Sequence, residues 1–283
     1  MTHLFLVLVQ ICFASLAIFG KAALVHVPAN AIVLTRVAGG ALAFLLVARV
    51  RGRVAARDLP LILLCSILGL VGNQLLFING LARTTAVNAA VLGSMIPVFT
   101  AAIAMLTRRE PARPLRILGI IVAFAGTLVL VRADRFSFSD EATVGNLMIV
   151  GNSLCYATFL VLVRRLAGRV PPLTLVALVF VLAVPFVAPL GIPAWASFTP
   201  TRSDLALLAF IVLVPTIGAY GLNQLALARA EASLVAVYVY LQPLLATAGA
   251  LIFLGERLDA RIAVAGALIL GGLVFSTAPM RRA

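Results

Sequence analysis

Residues 81–110 read LARTTAVNAAVLGSMIPVFTAAIAMLTRRE, and residues 227–256 read LARAEASLVAVYVYLQPLLATAGALIFLGE. Aligned without a gap, at an offset of 146, ten of the thirty positions are identical: Leu81/Leu227, Ala82/Ala228, Arg83/Arg229, Ala86/Ala232, Ala90/Ala236, Val91/Val237, Pro97/Pro243, Ala102/Ala248, Ala104/Ala250 and Glu110/Glu256. Matches among Ala, Leu and Val arise easily in such a chain. An Arg at the start, a Pro in the middle and a Glu at the end do not. The segment is therefore an internal repeat, set in an almost unbroken apolar background.

That background decides the solvent. The 283 residues are 63% hydrophobic and 11% charged, with a mean hydropathy of +1.17. Soluble domains hold about 45–50% apolar and about 25% charged residues, so this apolar surface belongs in a bilayer. The formal charge of +13 does not indicate nucleic acid, because the Arg residues fall in short clusters between apolar runs and form no basic stripe. Cys12, Cys65 and Cys155 all lie inside apolar runs with no CxxC pair. They read as small buried hydrophobes, with no disulfide framework, zinc site or other cofactor implied. The start, MTHLFLVLVQICFASLAIFGK, lacks the basic region of a cleavable signal and reads as a retained first span.

A spanning helix needs about 20 mostly apolar residues. Cutting at charges, Pro and Gly predicts ten transmembrane helices, near 3–21, 30–48, 59–81, 86–107, 115–132, 144–163, 172–192, 204–227, 231–254 and 262–279. The polar stretch RADRFSFSDEAT, residues 132–143, is the seam. It divides an all-α membrane protein into a five-helix repeat over 1–135 and a second over 136–283. With a cytoplasmic N-terminus, fourteen cations fall on inside loops and seven outside. The positive-inside rule therefore puts both termini in the cytoplasm, in a multi-pass protein of the cell (inner) membrane. CFASLAIFGK at 12–21 matches CYATFLVLVR at 155–164, so the repeat reaches from spans 1–5 to spans 6–10. Five is odd, so the second unit enters the membrane the opposite way. Two inverted five-helix repeats then surround a central cavity that can open to either side.

Two tandem five-span copies, each with a Pro-centred, Glu-terminated fourth span, resemble the drug/metabolite transporter superfamily. The EamA-type ten-helix carriers are the most similar branch. The LAR-x2-A…P…E segments carry the resemblance most specifically, and Lys21 and Arg36 also fit the family pattern. The resemblance implies a cavity built largely by spans 1, 3, 4, 6, 8 and 9. It implies transport of a small molecule, but not which one.

Within that frame the polar residues at membrane depth are the site candidates. Asn73 and Gln74 lie on span three, with Phe77 one turn on; Ser94 is on span four, and Asn152 and Tyr156 are on span six. Tyr220, Asn223 and Gln224 share a face of span eight, and Tyr238 and Gln242 a face of span nine. In the repeat Gln74 aligns with Tyr220 and Phe77 with Asn223. Neutral donors and acceptors in an apolar pocket suit a zwitterion, an alcohol or a planar ring. The same groups also serve as interhelical hydrogen bonds. As a set they are read as substrate-binding cavity residues. Pro97 and Pro243 each free a carbonyl four residues back at mid-depth, a hinge or a packing kink. Their symmetric placement favours the hinge.

Arg36 is a cation inside a span, expected first to snorkel outward, otherwise to cap a helix end or to meet a substrate carboxylate. Glu110 and Glu256 are expected to pair with loop cations or to cap the following helix. No Asp or Glu lies at depth in a span, which points to passive transport or to coupling near the surfaces. The reading is a transporter of small neutral or zwitterionic metabolites, an amino-acid or metabolite exporter or facilitator working by alternating access. A multidrug or quaternary-cation efflux carrier of the same fold is the alternative, although it would favour a carboxylate in the cavity. An enzyme is disfavoured, since no HExxH, GxSxG or paired intramembrane carboxylate occurs. The partners expected are the bilayer and a small-molecule substrate. Oligomeric state is not legible.

Overall fold

A computed structural model describes residues 2–48, 54–107, 114–131, 139–166, 168–227 and 241–277, and all of their regular structure is helical. In a bilayer core nothing but the chain itself can satisfy backbone N–H and C=O groups, and a helix does so within one segment. The elements are α1 (Thr2–Ala23), α2 (Ala29–Ala48), α3 (Leu59–Ser66), α4 (Asn73–Arg83), α5 (Ala86–Gly93), α6 (Met95–Leu106) and α7 (Pro114–Val131). Then follow α8 (Glu141–Val163), α9 (Pro172–Ala196), α10 (Arg202–Val212), α11 (Ala219–Leu227), α12 (Leu241–Phe253) and α13 (Ala260–Thr277).

Seven helical stretches among the described residues are long and apolar enough to cross a membrane: Leu4–Ala23, Ala29–Val47, Ala56–Arg83, Ala86–Leu106, Glu141–Leu166, Pro172–Ala196 and Arg202–Asn223. Three shorter apolar helices, Ile117–Leu130, Leu244–Phe253 and Ala260–Gly272, fall on the remaining expected spans. The seam at 135–136, Glu110, Arg229, Glu231 and Tyr238 lie outside the described residues, as do the side chains of Gln224 and Pro243. Large apolar side chains such as Leu42, Leu46, Ile121 and Ile252 are exposed, as lipid-facing positions should be.

Two long stretches are each interrupted by one π-helical segment, Ile67–Gly72 between α3 and α4 and Leu213–Gly218 between α10 and α11. The two begin 146 residues apart, the offset of the sequence repeat. At their ends the Asn73 N–H donates to Leu68 O and the Ala219 N–H to Val214 O, each five residues back. In the second segment Pro215 has no N–H to give Ile211 O, and the Thr216 hydroxyl takes that carbonyl instead at 2.9 Å.

Packing repeats at the same offset. Helix α2 runs along α9, and α7 along α13. A Cβ at Gly126 would lie 2.8 Å from Ala265 O, and one at Gly272 would lie 2.4 Å from Gly119 O. Positions 126 and 272 correspond in the repeat, and so do 119 and 265. The crossing of α7 and α13 is thus the same contact made twice, with the partners exchanged. Only glycine admits so close a backbone approach. At the π segments a Cβ at Gly72 would be 3.4 Å from Cys155 Sγ and one at Gly218 would be 4.0 Å from Cys12 Sγ, the glycines 146 residues apart and the cysteines 143. All three cysteines are free thiols.

Candidate functional site

Arg36 lies in α2 and does not snorkel. It is 2% exposed, the largest fully buried side chain among the described residues. Its Nη1 donates to Gln74 Oε1 and its Nε to Thr216 Oγ1 at 3.0 Å. Gln74 lies two residues past the first π segment and Thr216 lies within the second, so one guanidinium ties α2 to the neighbourhood of both irregular segments. Among the described residues no carboxylate pairs with it: Asp58 pairs with Arg169, Asp204 faces His26 and Asp259 faces Arg261. A buried charge costs several kcal/mol unless hydrogen bonds offset it, and two neutral oxygens do so in part. The outward snorkelling expected from sequence fails because a π segment on each side brings a polar acceptor to the depth of Arg36.

Tyr220 stands one turn beyond Thr216. Its phenol lies beside the Gln74 side chain and within electrostatic range of the Arg36 guanidinium. Its ring packs edge-on to Phe180 at 5.3 Å, Phe13 at 5.6 Å and Phe44 at 6.5 Å between centroids. Tyr156 comes within electrostatic range of Tyr220 and packs on Phe159 at 5.5 Å. One cation, neutral acceptors and several ring edges thus meet at the junction of α1, α2, α4, α8, α9 and α11.

The other sequence-selected residues divide in two. Asn152 is buried, and its Nδ2 donates to Asn73 O at 2.8 Å, holding α8 to the start of α4. Next to it Ser153 donates to Leu92 O at 3.2 Å. Ser94 is buried and donates to Ala90 O within its own helix. It is also where the fourth span breaks: α5 ends at Gly93, α6 begins at Met95 and Pro97 follows. The side chains of Asn73, Phe77, Asn223 and Gln242 are half-buried. Phe77 packs against both apolar clusters of the molecule.

A clamp at one face was not foreseen in its details. Lys21, at the end of α1, donates to Leu81 O at 2.9 Å, Thr84 O at 2.7 Å and Ala82 O at 3.5 Å. Glu256 accepts the Ala86 and Val87 N–H groups at 2.7 and 2.8 Å. A cation therefore caps the C-terminus of α4 and an anion the N-terminus of α5, each complementing a helix dipole. The two side chains also attract each other. Glu256 caps α5, in the other repeat, and not the helix that follows it. The sequence signal was the Glu itself, but its target lies across the repeat boundary.

Polar contacts also tie turns to one another: Lys21 and Glu256 meet the 84–86 turn, His26 faces Asp204, and Asp58 pairs with Arg169. Among the described residues no group of three or more His, Cys, Asp or Glu is placed to hold a metal.

Apolar helices that exceed a membrane thickness, short connecting turns and buried polar groups at mid-span define a multi-pass helical membrane protein. The EamA-like transporter family model matches residues 1–132 and again 143–278. The chain belongs to the EamA-like transporter family, within the drug/metabolite transporter superfamily, and is a transporter. It is 29% identical over 221 residues to a protein of Archaeoglobus fulgidus named an uncharacterized transporter, covering 75% of each chain. It is 27% identical over 217 residues to the aromatic amino acid exporter YddG of Ancylobacter novellus, covering 76% of this chain and 75% of the other. A solved crystal structure shares the fold at a TM-score of 0.68 and 22% identity, over 98% of this chain and 96% of that one.

Proposed function

We propose that the chain exports, or facilitates passage of, small zwitterionic metabolites, with aromatic amino acids the leading class. It works by alternating access of two inverted five-helix repeats, 1–135 and 136–283, in ten spans of the cell (inner) membrane. Both termini are cytoplasmic. The observation that carries the reading is the meeting of Gln74 and Tyr220, equivalent positions of the two repeats, beside one buried cation and a set of aromatic edges. Residues that correspond in two inverted halves can meet only near the axis relating them, where such carriers hold substrate. The exchanged contacts of Gly126 with Ala265 and of Gly272 with Gly119 support the same axis.

Arg36 and Tyr220 favour a ligand with a carboxylate and a ring, which is the chemistry in the name of the Ancylobacter relative. Asn73, Phe77, Tyr156, Asn223, Gln224, Tyr238 and Gln242 complete the proposed cavity. Gln74, Ser94 and Asn152 shape it through their hydrogen bonds, and Pro97 and Pro243 are its hinges. The quaternary-cation alternative is disfavoured by the buried guanidinium, which would repel such a substrate.

The test is counterflow of labelled phenylalanine in proteoliposomes, with unlabelled amino acids and quaternary amines as competitors. Competition by aromatic amino acids, and a raised KM in Tyr220→Phe and Asn223→Ala, is the expected result. Competition by quaternary amines alone, or an unaltered KM in both variants, overturns the assignment.

A further inference from the structure

Two ion pairs at opposite ends of the molecule are one contact made twice, with the partners exchanged. Asp58 and Asp204 correspond at the 146 offset. His26 and Arg169 are 143 residues apart, the spacing that relates Cys12 to Cys155 and the first residue of α2 to the first of α9. Asp58 of the first copy pairs with Arg169 of the second. Asp204 of the second copy faces His26 of the first, at 3.6 Å between Oδ1 and Nδ1. Each acid is 3% exposed and stands at the start of a stretch that a π segment interrupts. Each basic partner reaches it out of the turn that leads into α2 or α9.

Helices α2 and α9 fix the two ends. Trp195, late in α9, donates to Ala31 O near the start of α2 at 3.2 Å, so the two run antiparallel. His26 precedes α2 and Asp58 follows it, and the 20 residues of α2 span about 30 Å. One pair therefore lies at each end of the α2–α9 crossing.

The two differ in chemistry. Arginine keeps its charge throughout the physiological range, whereas histidine ordinarily changes charge between about pH 5 and pH 8. At 3.6 Å a neutral imidazole makes no good hydrogen bond to Asp204, while an imidazolium still attracts the carboxylate. The His26 side chain is 71% exposed, and it shares the wall of an open cavity of about 450 Å3 with Asp204, Phe198 and Thr201. Protons of the bath thus reach it directly. Asp204 Oδ2 accepts the Thr201 N–H at 2.9 Å and hydroxyl at 2.7 Å, which leaves Oδ1 towards His26.

Other charged groups at this end are engaged or turned outward. From α1, Lys21 donates to the Leu81 and Thr84 carbonyls. From α4, Arg83 donates to Asn79 O of its own helix. Glu256 holds the start of α5, and Arg202 of α10 is exposed. The near ends of α2 and α9, residues 29–35 and 190–201, carry no charged side chain.

Both pairs join one copy of the repeat to the other, so each must part when its face opens. We propose that they are the closing straps of the two faces, and that His26 is a positioning residue that makes closure of its own face depend on protons there. Acid on that face protonates His26 and holds the strap; rising pH releases it. The Asp58–Arg169 strap is indifferent to pH over the same range. The proposal rests on the alternating-access reading, in whose orientation the His26 face is the outer one.

Trp195 is the one tryptophan of the chain and reports this end. Its ring packs at 5.2 Å on Phe198 in the cavity wall. The experiment is acrylamide quenching of Trp195 in the full chain in detergent micelles, which needs neither label nor substrate. Quenching rises between about pH 5 and about pH 8 as the strap loosens. His26→Arg loses the rise and keeps the low quenching throughout. His26→Gln loses it and keeps the high quenching throughout. In counterflow of labelled phenylalanine, kcat changes over the same range with KM unaltered, and both variants lose the change. Quenching that ignores pH in the unaltered protein, or a rise that survives in either variant, overturns the proposal. The transport reading fails separately, by absence of counterflow, and the quenching pattern would then still assign the strap to His26.

Discussion

The Gln74 side chain lies beside the Tyr220 phenol, and the two occupy the same position in the sequence repeat. Under the inverted-repeat proposal this contact marks the axis that relates the two halves. The guanidinium of Arg36 sits on the same amide, and the repeat gives Arg36 no cationic counterpart in α9, where no Lys or Arg occurs. The charge at the centre of the molecule is therefore carried by one repeat alone.

Removing that charge leaves Gln74 Oε1 without its donor at a buried site. Arg36→Met should lower thermal stability in detergent by about 1–3 kcal/mol, the range for an orphaned buried polar group, and abolish flux. Arg36→Lys should restore part of the stability but not the two-point contact with Gln74 and Thr216. Thermal unfolding of the variants, with Arg36→Met and Thr216→Val combined in a double-mutant cycle, measures the coupling. Strict additivity would show that the Arg36–Thr216 bond carries no energy.

The Lys21–Glu256 clamp should hold one face shut. Glu256→Gln weakens both backbone bonds to α5 and should cost about 1 kcal/mol, as the loss of a helix cap does. The native thiols report the consequence, because Cys12 and Cys155 pack at the two π segments. Their labelling by a membrane-impermeant maleimide from that face should rise several-fold in the variant. Unchanged labelling would remove the clamp from the gating cycle.

Under the inverted-repeat proposal Glu110 is the counterpart of Glu256. Glu110→Gln should then raise labelling of the same thiols from the opposite face and not from the clamp face. Labelling raised from the clamp face would contradict the inversion.

Pro97 follows the break at Ser94 and deprives Gly93 O of its usual donor. Pro97→Ala restores that donor. The expected outcome is a higher melting temperature with slower turnover in counterflow. Faster turnover, or no change in either, would make the proline a packing residue only.

Much of this was legible in the chain. Apolar runs bounded by charge and proline placed the described helix ends within a few residues, since a helix that crosses the bilayer needs about 20 apolar residues. The repeat was visible because Arg83, Pro97 and Glu110 recur as Arg229, Pro243 and Glu256. Side-chain partners were less legible. Asn152 proved to donate to a backbone carbonyl in α4, and composition cannot separate that from a cavity-lining amide. Arg36 was misjudged because its depth was read on a straight helix, whereas two π segments bring Gln74 and Thr216 to it. The sequence VPT at 214–216 held a clue, a proline followed at once by a hydroxyl able to take the carbonyl the proline leaves.

That hydroxyl has a further consequence. A main-chain amide releases its carbonyl only when the helix unwinds, but a threonine lets go by one turn about χ1. The Thr216 oxygen that donates to Ile211 O also receives Arg36 Nε. A single rotamer change would therefore unfasten the guanidinium and free the winding of its neighbour together, making this side chain a common latch for two helices.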